Sequence, residues 1–423
     1  MNVDLLVHSA AQLVTCASPD GFRRGRDMAD VGVIEDGAVA VQGDKIVAVG
    51  SSADLRGAYT ARRELDATGA VVCPGFVDPH THVVYAGDRV GEFESRIQGK
   101  TYMQIMAEGG GIVSTMRSVR AASLEQLIAE SRARLDLMLA LGTTTVEVKT
   151  GYGLDRESEL KMLDAIAALD KTHAIDLVPT FMGAHAVPPE YRDRTPEYVD
   201  LVIHDMLPAA RAWYDSGHWR DAGVPFFIDV FCENNAFDVD QSRRILQAGA
   251  DLGLRVKAHV DEFTALGGVS LGVELGAVSL DHLDVTTPAE AAALTASDTA
   301  AVIMPGVNFN LGSTHFANAR SLINAGAIVA LATDINPGSS PCPSMPLIMA
   351  IACRYQRLLP AEALIASTIN AAYAVGLSDR VGSLEAGKQA DLLVVATPDY
   401  RHLAYQFGGD LVRHVFKKGV QVR

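Results

Sequence analysis

Between residues 71 and 332 the chain alternates short apolar runs with amphipathic stretches, and this alternation limits the possible folds more than any other feature. The apolar runs are Val71-Val72 leading into Pro74-Gly75-Phe76-Val77, then Thr143 to Val148, Ile175 to Phe181, Phe226 to Cys232, Arg255 to Val260, Val278 to Leu283, Ala301 to Met304 and Ile328 to Ala332. Each is short and mainly apolar, as expected of parallel strands covered on both faces. Helical periodicity occupies the intervals, over Leu124 to Leu141, Glu157 to Leu169, Tyr198 to Tyr214, Val239 to Leu252, Pro288 to Ala296 and Phe316 to Ala325. About eight strands with intervening helices predict an α/β chain folded as a (β/α)8 TIM-like barrel. No GxGxxG follows the first strand, which disfavours a dinucleotide-binding open sheet.

The ends of the chain read differently. Ala38 to Gln42 and Lys45 to Val49 flank the turn Gly43-Asp44 as a hairpin. Ala390 to Val395 reads as a strand, and Leu411 to Lys417, Lys418-Gly419 and Val420 to Val422 as a terminal hairpin. Two β-rich ends around an α/β middle predict a small β-sandwich built from both termini, with residues 1–72 and 379–423 flanking a barrel over 73–378.

Charge and cysteine content narrow the partners. With 36 Lys+Arg against 51 Asp+Glu the net charge is −15, and no basic run offers a track for phosphates, so nucleic acid and anionic membranes are poor partners. The five cysteines form no CxxC pair, which argues against a disulfide framework or a thiolate zinc site and for a cytoplasmic protein. No apolar stretch approaches the roughly 20 residues of a membrane span, and the first residues lack the pattern of a signal peptide. A homodimer is the expected assembly.

A barrel carries its chemistry at the C-terminal ends of its strands. The first strand is followed by Asp78-Pro-His80-Thr-His82, whose two histidines at i and i+2 of an extended segment project to one side. The fifth strand ends Lys257-Ala-His259-Val-Asp261-Glu262, the sixth Asp281-His282-Leu283, and the eighth Ala332-Thr333-Asp334. Imidazoles with one carboxylate and no thiolate predict a metal site suited to Zn²⁺, Fe²⁺ or Mn²⁺. Arg89, close behind the HxH motif, suits bidentate pairing with a substrate carboxylate. The glycines of Thr150-Gly-Tyr152-Gly let the backbone turn and present a ring, and His185 follows the third strand. Gly109-Gly-Gly111 has no following Lys-Ser/Thr and reads as a flexible segment near the mouth, not a phosphate loop.

The order HxH, His, His, Asp after strands one, five, six and eight, together with Gly382-Ser-Leu-Glu-Ala-Gly-Lys-Gln-Ala-Asp391, resembles the amidohydrolase superfamily. Within it the chain is similar to the imidazolonepropionase family. The similarity lies in Pro74 to His82, Glu92-Phe-Glu94, Gly109 to Ile112, Lys149-Thr-Gly-Tyr-Gly153, Thr180 to His185 and Asp334-Ile-Asn-Pro-Gly-Ser339. The resemblance implies hydrolysis of a cyclic amide in an anionic heterocycle, 4-imidazolone-5-propanoate, to N-formimidoyl-L-glutamate in histidine degradation. It implies one divalent metal per subunit, Zn²⁺ or Fe²⁺, held by His80, His82, His259 and Asp334. Glu262, His282 and Asp334 would be the catalytic groups, and Arg89, Tyr102, Tyr152, His185, Glu262, Asn336, Gly338 and Ser339 the substrate contacts. Two alternatives stay open: Glu233, after strand four, offers a carboxylate for a second ion, and the same HxxE arrangement serves a deaminase acting on a heterocyclic ring.

Overall fold

The structure, a computed structural model, describes residues 1–423 except Tyr102, Met103, Met106 and Ala107. The described residues form two eight-stranded sheets. The first takes Asn2–Val14 (β1), Val33–Gln42 (β2), Lys45–Ser51 (β3), Thr60–Asp66 (β4) and Val71–Pro74 (β5) from the start of the chain. The second is all parallel and sequential: Phe76–Asp78 (β6), Thr143–Lys149 (β7), Asp176–Ala184 (β8), Phe227–Cys232 (β9), Arg255–Val260 (β10), Ser279–His282 (β11), Ala300–Ile303 (β12) and Ile328–Leu331 (β13). The chain then returns to the first sheet with Leu392–Val395 (β14), Val412–Lys417 (β15) and Val420–Gln421 (β16).

The terminal sheet runs β16-β15-β14-β5-β1-β2-β3, with β4 beside β1. Both expected hairpins are present. The sheet is mixed, since β1 runs parallel to β4 and β5, and it curls until the β2–β3 hairpin meets the segment before β14. There Ile46 N donates to Lys388 O at 2.9 Å and Ala390 N to Asp44 O at 2.8 Å. The sandwich is thus one folded sheet around an aliphatic core that includes Leu5, Leu13, Val41, Val72, Leu392 and Phe416.

One expected strand divides. Residues 71–77 read as a single barrel strand, but β5 pairs with β1 and β14 of the terminal sheet and only β6 enters the barrel, beside β7. Gly75 is the crossing point, and a Cβ there would lie 2.2 Å from Thr144 Oγ1, so only glycine lets the chain pass so close to β7. The helix expected over Tyr198 to Tyr214 is also interrupted. It runs as Thr195–Leu201, a π-helical turn Val202–Met206 and Leu207–Ser216. Pro208, with no N–H and a ring that crowds the carbonyl four residues back, accounts for the break.

Alternate residues of the barrel strands face opposite ways. Val146, Val148, Ile228, Val230, Val256, Val260 and Leu280 pack in the large core that also holds Leu163, Ile166 and Leu246 of the surrounding helices. Inside the barrel, a lower layer of Val77, Val178, Phe227, Val302 and Ala330 is plugged by residues of the helix Ile369–Ala374 and those after it. Above it the interior turns polar, with Glu147, Lys149, Asp229, Lys257 and Asp281 fully buried. The barrel closes at its C-terminal end, where Asp334 N donates to His80 O at 3.1 Å and His82 N to Ile335 O at 3.0 Å. Among the described residues no helix is long and apolar enough to cross a membrane.

Candidate active site

At that closure the two histidines after β6 meet the ends of β10, β11 and β13. His82 Nε2 lies 3.3 Å from His259 Nε2, and Asp334 Oδ1 lies 3.5 Å from His80 Nε2 and 3.7 Å from His82 Nε2. All four residues are buried. The donor atoms of His80, His82 and His259 fall within 4.8 Å of one another, as do those of His80, His282 and Asp334. His80 Nε2 and Asp334 Oδ1 have no hydrogen-bond partner although both are buried. An orphaned imidazole nitrogen and an orphaned carboxylate oxygen aimed at one point are costly unless a cation joins them. This donor set therefore suits a divalent metal ion.

The back nitrogens of two of these rings are fixed from beneath. His80 Nδ1 is 2.6 Å from Asp281 Oδ2, and His259 Nδ1 is 2.9 Å from Asp229 Oδ1, which also accepts from His259 N. A carboxylate on Nδ1 selects the tautomer that leaves Nε2 free to bind a metal. Burial drives the histidine pKa values of His80 and His82 well below the ordinary range, which keeps the rings neutral as ligands must be. Burial also pushes the Asp334 carboxyl well above its usual value, an electrostatic burden that a bound cation offsets.

His282, the last residue of β11, has φ 79°, and Asp334 and Asp261, just past β13 and β10, have φ 49° and 55°. Left-handed backbone at non-glycine residues costs free energy and concentrates at functional sites; here it turns the strand ends over the barrel axis. His282 Nε2 stands 3.7 Å from Glu262 Oε2. Burial holds the Glu262 carboxyl well above the carboxylate range, with Asp334, Asp284 and Glu233 adding to the effect. A carboxyl group whose pKa is raised from the ordinary carboxylate range beside the metal position is fit to exchange a proton with water and substrate.

Glu233 has a different task from the one considered for it. Its carboxylate accepts from Asn234 N at 2.8 Å, Phe263 N at 2.9 Å and Thr264 N at 3.0 Å, so it clasps the turn that presents Glu262. It belongs to neither donor group at the metal position.

The same cavity is lined by Arg89, Arg96, Ile112, Tyr152, His185 and Phe231 and by Asn336, Gly338 and Ser339. Past Ile112, His185, Phe231 and Phe263 it adjoins a more apolar cavity of about 390 Å³. His185 stacks on His82 with ring centroids 4.7 Å apart, and burial lowers its pKa to about 3. Arg89 Nε donates to Glu92 at 2.8 Å, and the other oxygen of Glu92 accepts from Gly111 N at 3.0 Å. The glycine run expected as a flexible segment is thus tied to Glu92, with Gly111 capping the helix Ile112–Ala121. Asn336 Oδ1 accepts from Gly338 N and Ser339 N, and its Nδ2 donates to Asp334 O, so this side chain shapes the loop behind Asp334. Gly338 carries the guanidinium of Arg89 against it, and a Cβ there would lie 2.1 Å from Nη1.

Tyr102 lies outside the described residues. Sequence reasoning missed Asp229, Asp281, Lys149 and Arg96. A charged residue inside an apolar run, as in Phe227-Ile-Asp229-Val-Phe231, was the available signal; Arg96 carried none, being one of several arginines in polar surroundings.

Residues 235–422 match the family model described as the amidohydrolase family, and residues 37–61 that of an imidazolonepropionase-like composite domain from bacteria. The chain is 59% identical to the imidazolonepropionase of Chloroflexus aggregans, over 98% of this chain and 97% of that protein. It is 54% identical to that of Herpetosiphon aurantiacus, over 100% and 98%. Its fold is similar to that of the adenosine deaminase from Xanthomonas campestris with bound zinc (TM-score 0.72, 23% identity, covering 99% of this chain and 93% of that one). Guanine deaminase from Escherichia coli is similar too (TM-score 0.73, 18% identity, 99% and 98%). With relatives of this identity along its whole length, the chain belongs to the imidazolonepropionase family of the amidohydrolases.

Proposed function

We propose that the protein hydrolyses the ring amide of 4-imidazolone-5-propanoate to N-formimidoyl-L-glutamate, a step of histidine degradation, with one Zn²⁺ or Fe²⁺ per subunit. The observation that carries this reading is that a histidine and carboxylate donor set and the guanidinium groups of Arg89 and Arg96 line one cavity. An anionic tail is recognised at one end and a carbonyl attacked at the other. His80, His82, His259 and Asp334 hold the ion. When bound, it supplies Lewis acidity and lowers the pKa of water at the site.

The other residues orient the ring and move protons. The guanidinium of Arg89, held at Nε by Glu92, pairs with the propionate, and Arg96 adds positive charge on the same wall. Tyr152 and His185 flank the ring. Glu262 takes a proton from the attacking water and returns it to the ring nitrogen as the C–N bond breaks and the new C–O bond forms, which balances the addition of one water. His282, within reach of Glu262, donates to the oxygen that gains negative charge in the tetrahedral state.

Metal-loaded protein given 4-imidazolone-5-propanoate is expected to form N-formimidoyl-glutamate, read by mass spectrometry. Ammonia release from ring amidines without that product would favour a deaminase instead.

A further inference from the structure

Beneath the metal position lies a buried cation that the hydrolysis itself does not need. Lys149, at the end of β7, is fully buried, and its Nζ stands 2.7 Å from Glu147 Oε1, 2.7 Å from Asp229 Oδ2 and 3.7 Å from Asp281 Oδ2. Two of these carboxylates are the ones that fix the ring nitrogens: Asp229 turns its other oxygen to His259, and Asp281 uses the same Oδ2 on His80. His259 and His80 come from strands that are not neighbours in the barrel, and the sheet register only sets the backbone of Asp281 beside that of His259. A single ammonium, 2.7 Å from one carboxylate and 3.7 Å from the other, ties the side chains that meet the two rings.

We infer that Lys149 is a positioning residue for the metal, an internal cation that sets the carboxylates of Asp229 and Asp281 and through them aims His259 and His80 at one point. The inference rests on reading His80, His82, His259 and Asp334 as the ligand set. Two physical arguments support it. A carboxylate bonded to a ligating histidine fixes that ring's tautomer and rotation, so what fixes the carboxylate fixes the ligand. Three carboxylates crowded into a dry interior also need a nearby cation. Lys257, also buried in the barrel interior, instead donates to Pro79 O at 2.7 Å and stands 3.9 Å from Glu147.

The test uses zinc affinity, by competition with a chromogenic chelator, and the visible spectrum of the cobalt-loaded protein, which reports ligand geometry without turnover. Lys149→Met removes the ammonium. Glu147→Gln combined with Lys149→Met removes one charge of each sign and so leaves the burial balance intact, with Glu147→Gln alone as its control. Both Lys149 variants are expected to bind zinc about 10 to 100-fold more weakly, the range for losing a partner of a ligand, and to show a changed cobalt spectrum, while Glu147→Gln alone loses less. Parental zinc affinity and an unchanged spectrum in the folded charge-balanced variant would overturn the inference. So would failure of both variants to fold, since Lys149 would then serve the barrel and not the metal. His259→Ala separates the two readings: if it binds zinc like the parent, the ligand set is wrong, whatever Lys149 does.

Discussion

The two ends of the active-site cavity are made differently. At the metal end every donor rides on or just past a barrel strand, and a carboxylate below locks the back of His80 and of His259. At the opposite end the charged groups sit on connections. Arg89 precedes the short helix Val90–Ile97, which buries none of its residues, and it is held by Glu92 and by the absence of a side chain at Gly338. The strand-borne end is set by the whole barrel, whereas the loop-borne end depends on a few local contacts. On the proposed roles, chemistry is concentrated where positions are stiffest, and substrate choice where they are easiest to alter.

The largest effect should come from the metal end. His259→Ala is expected to weaken zinc binding by more than the roughly 100-fold that marks the upper range for losing only a ligand's partner, with turnover falling in step; metal analysis after dialysis checks it. Retention of stoichiometric metal would break the contrast at its stiff end.

Glu262→Gln should keep the ion and lose about 10² to 10⁴-fold in kcat, since the amide preserves shape but moves no proton. Metal content and kcat measured on the same preparation test this, and near-parental turnover would move the proton role elsewhere.

At the loop-borne end, losing one charge-assisted contact is worth roughly 1.5 to 3 kcal/mol, or about 10 to 150-fold. Arg89→Met should lower kcat/KM for 4-imidazolone-5-propanoate by that amount and leave metal affinity alone. Gly338→Ala should act in the same direction, because its Cβ occupies the place of the Arg89 guanidinium. A ring lacking the propionate should be nearly indifferent to both changes. Equal losses for both compounds, measured as kcat/KM, would show that this wall does not read the tail.

The smallest effect on activity is expected far from the cavity, where the barrel meets the terminal sheet. Asp176, at the start of β8, contacts Lys417 and Lys418, each at 2.7 Å. Burial alone would raise its pKa, but the two ammonium groups hold it down at about 2. Its folded value lies below the unfolded one, so its contribution is present above about pH 4 and disappears as the pH falls towards 2. At one pKa unit per roughly 1.4 kcal/mol this is about 2 kcal/mol. Denaturant titrations should show Asp176→Asn less stable than the parent by that order near neutral pH and the gap closing between about pH 4 and 2, with kcat unaffected.

The same contrast explains how far the sequence could be read. Side-chain period and strand count revealed the barrel, because an apolar run such as Ile328 to Leu331 must be covered on both faces. His80, His82 and Asp334 stood out because they follow such runs directly, and His259 and His282 because they sit at the C-terminal ends of theirs. Asp229 and Asp281 lie inside strands, and only three-dimensional closure shows that they face the axis and meet histidines 30 and 201 positions away. The role of Glu233 was hidden for a similar reason, since its partners are backbone amides of another connection. The split at Gly75 was invisible too: an apolar strand crossing from one sheet to another keeps a continuous pattern.

The seam that closes the barrel has a consequence for synthesis. Asp78 accepts from Thr333, 255 positions later, and the peptide bonds beside His80 and Asp334 are tied across the same gap. A ribosome must therefore release nearly the whole barrel before the last carboxylate can join the first two histidines. Before Asp334 emerges, a growing chain offers metal ions at most three of the four proposed ligands, on a barrel not yet closed. On the proposed ligand set, an ion is expected to bind the finished form best and so shift the equilibrium towards it. Loading thus acts as a latch on a completed ring, and an unfinished chain has little with which to sequester a scarce or mismatched metal.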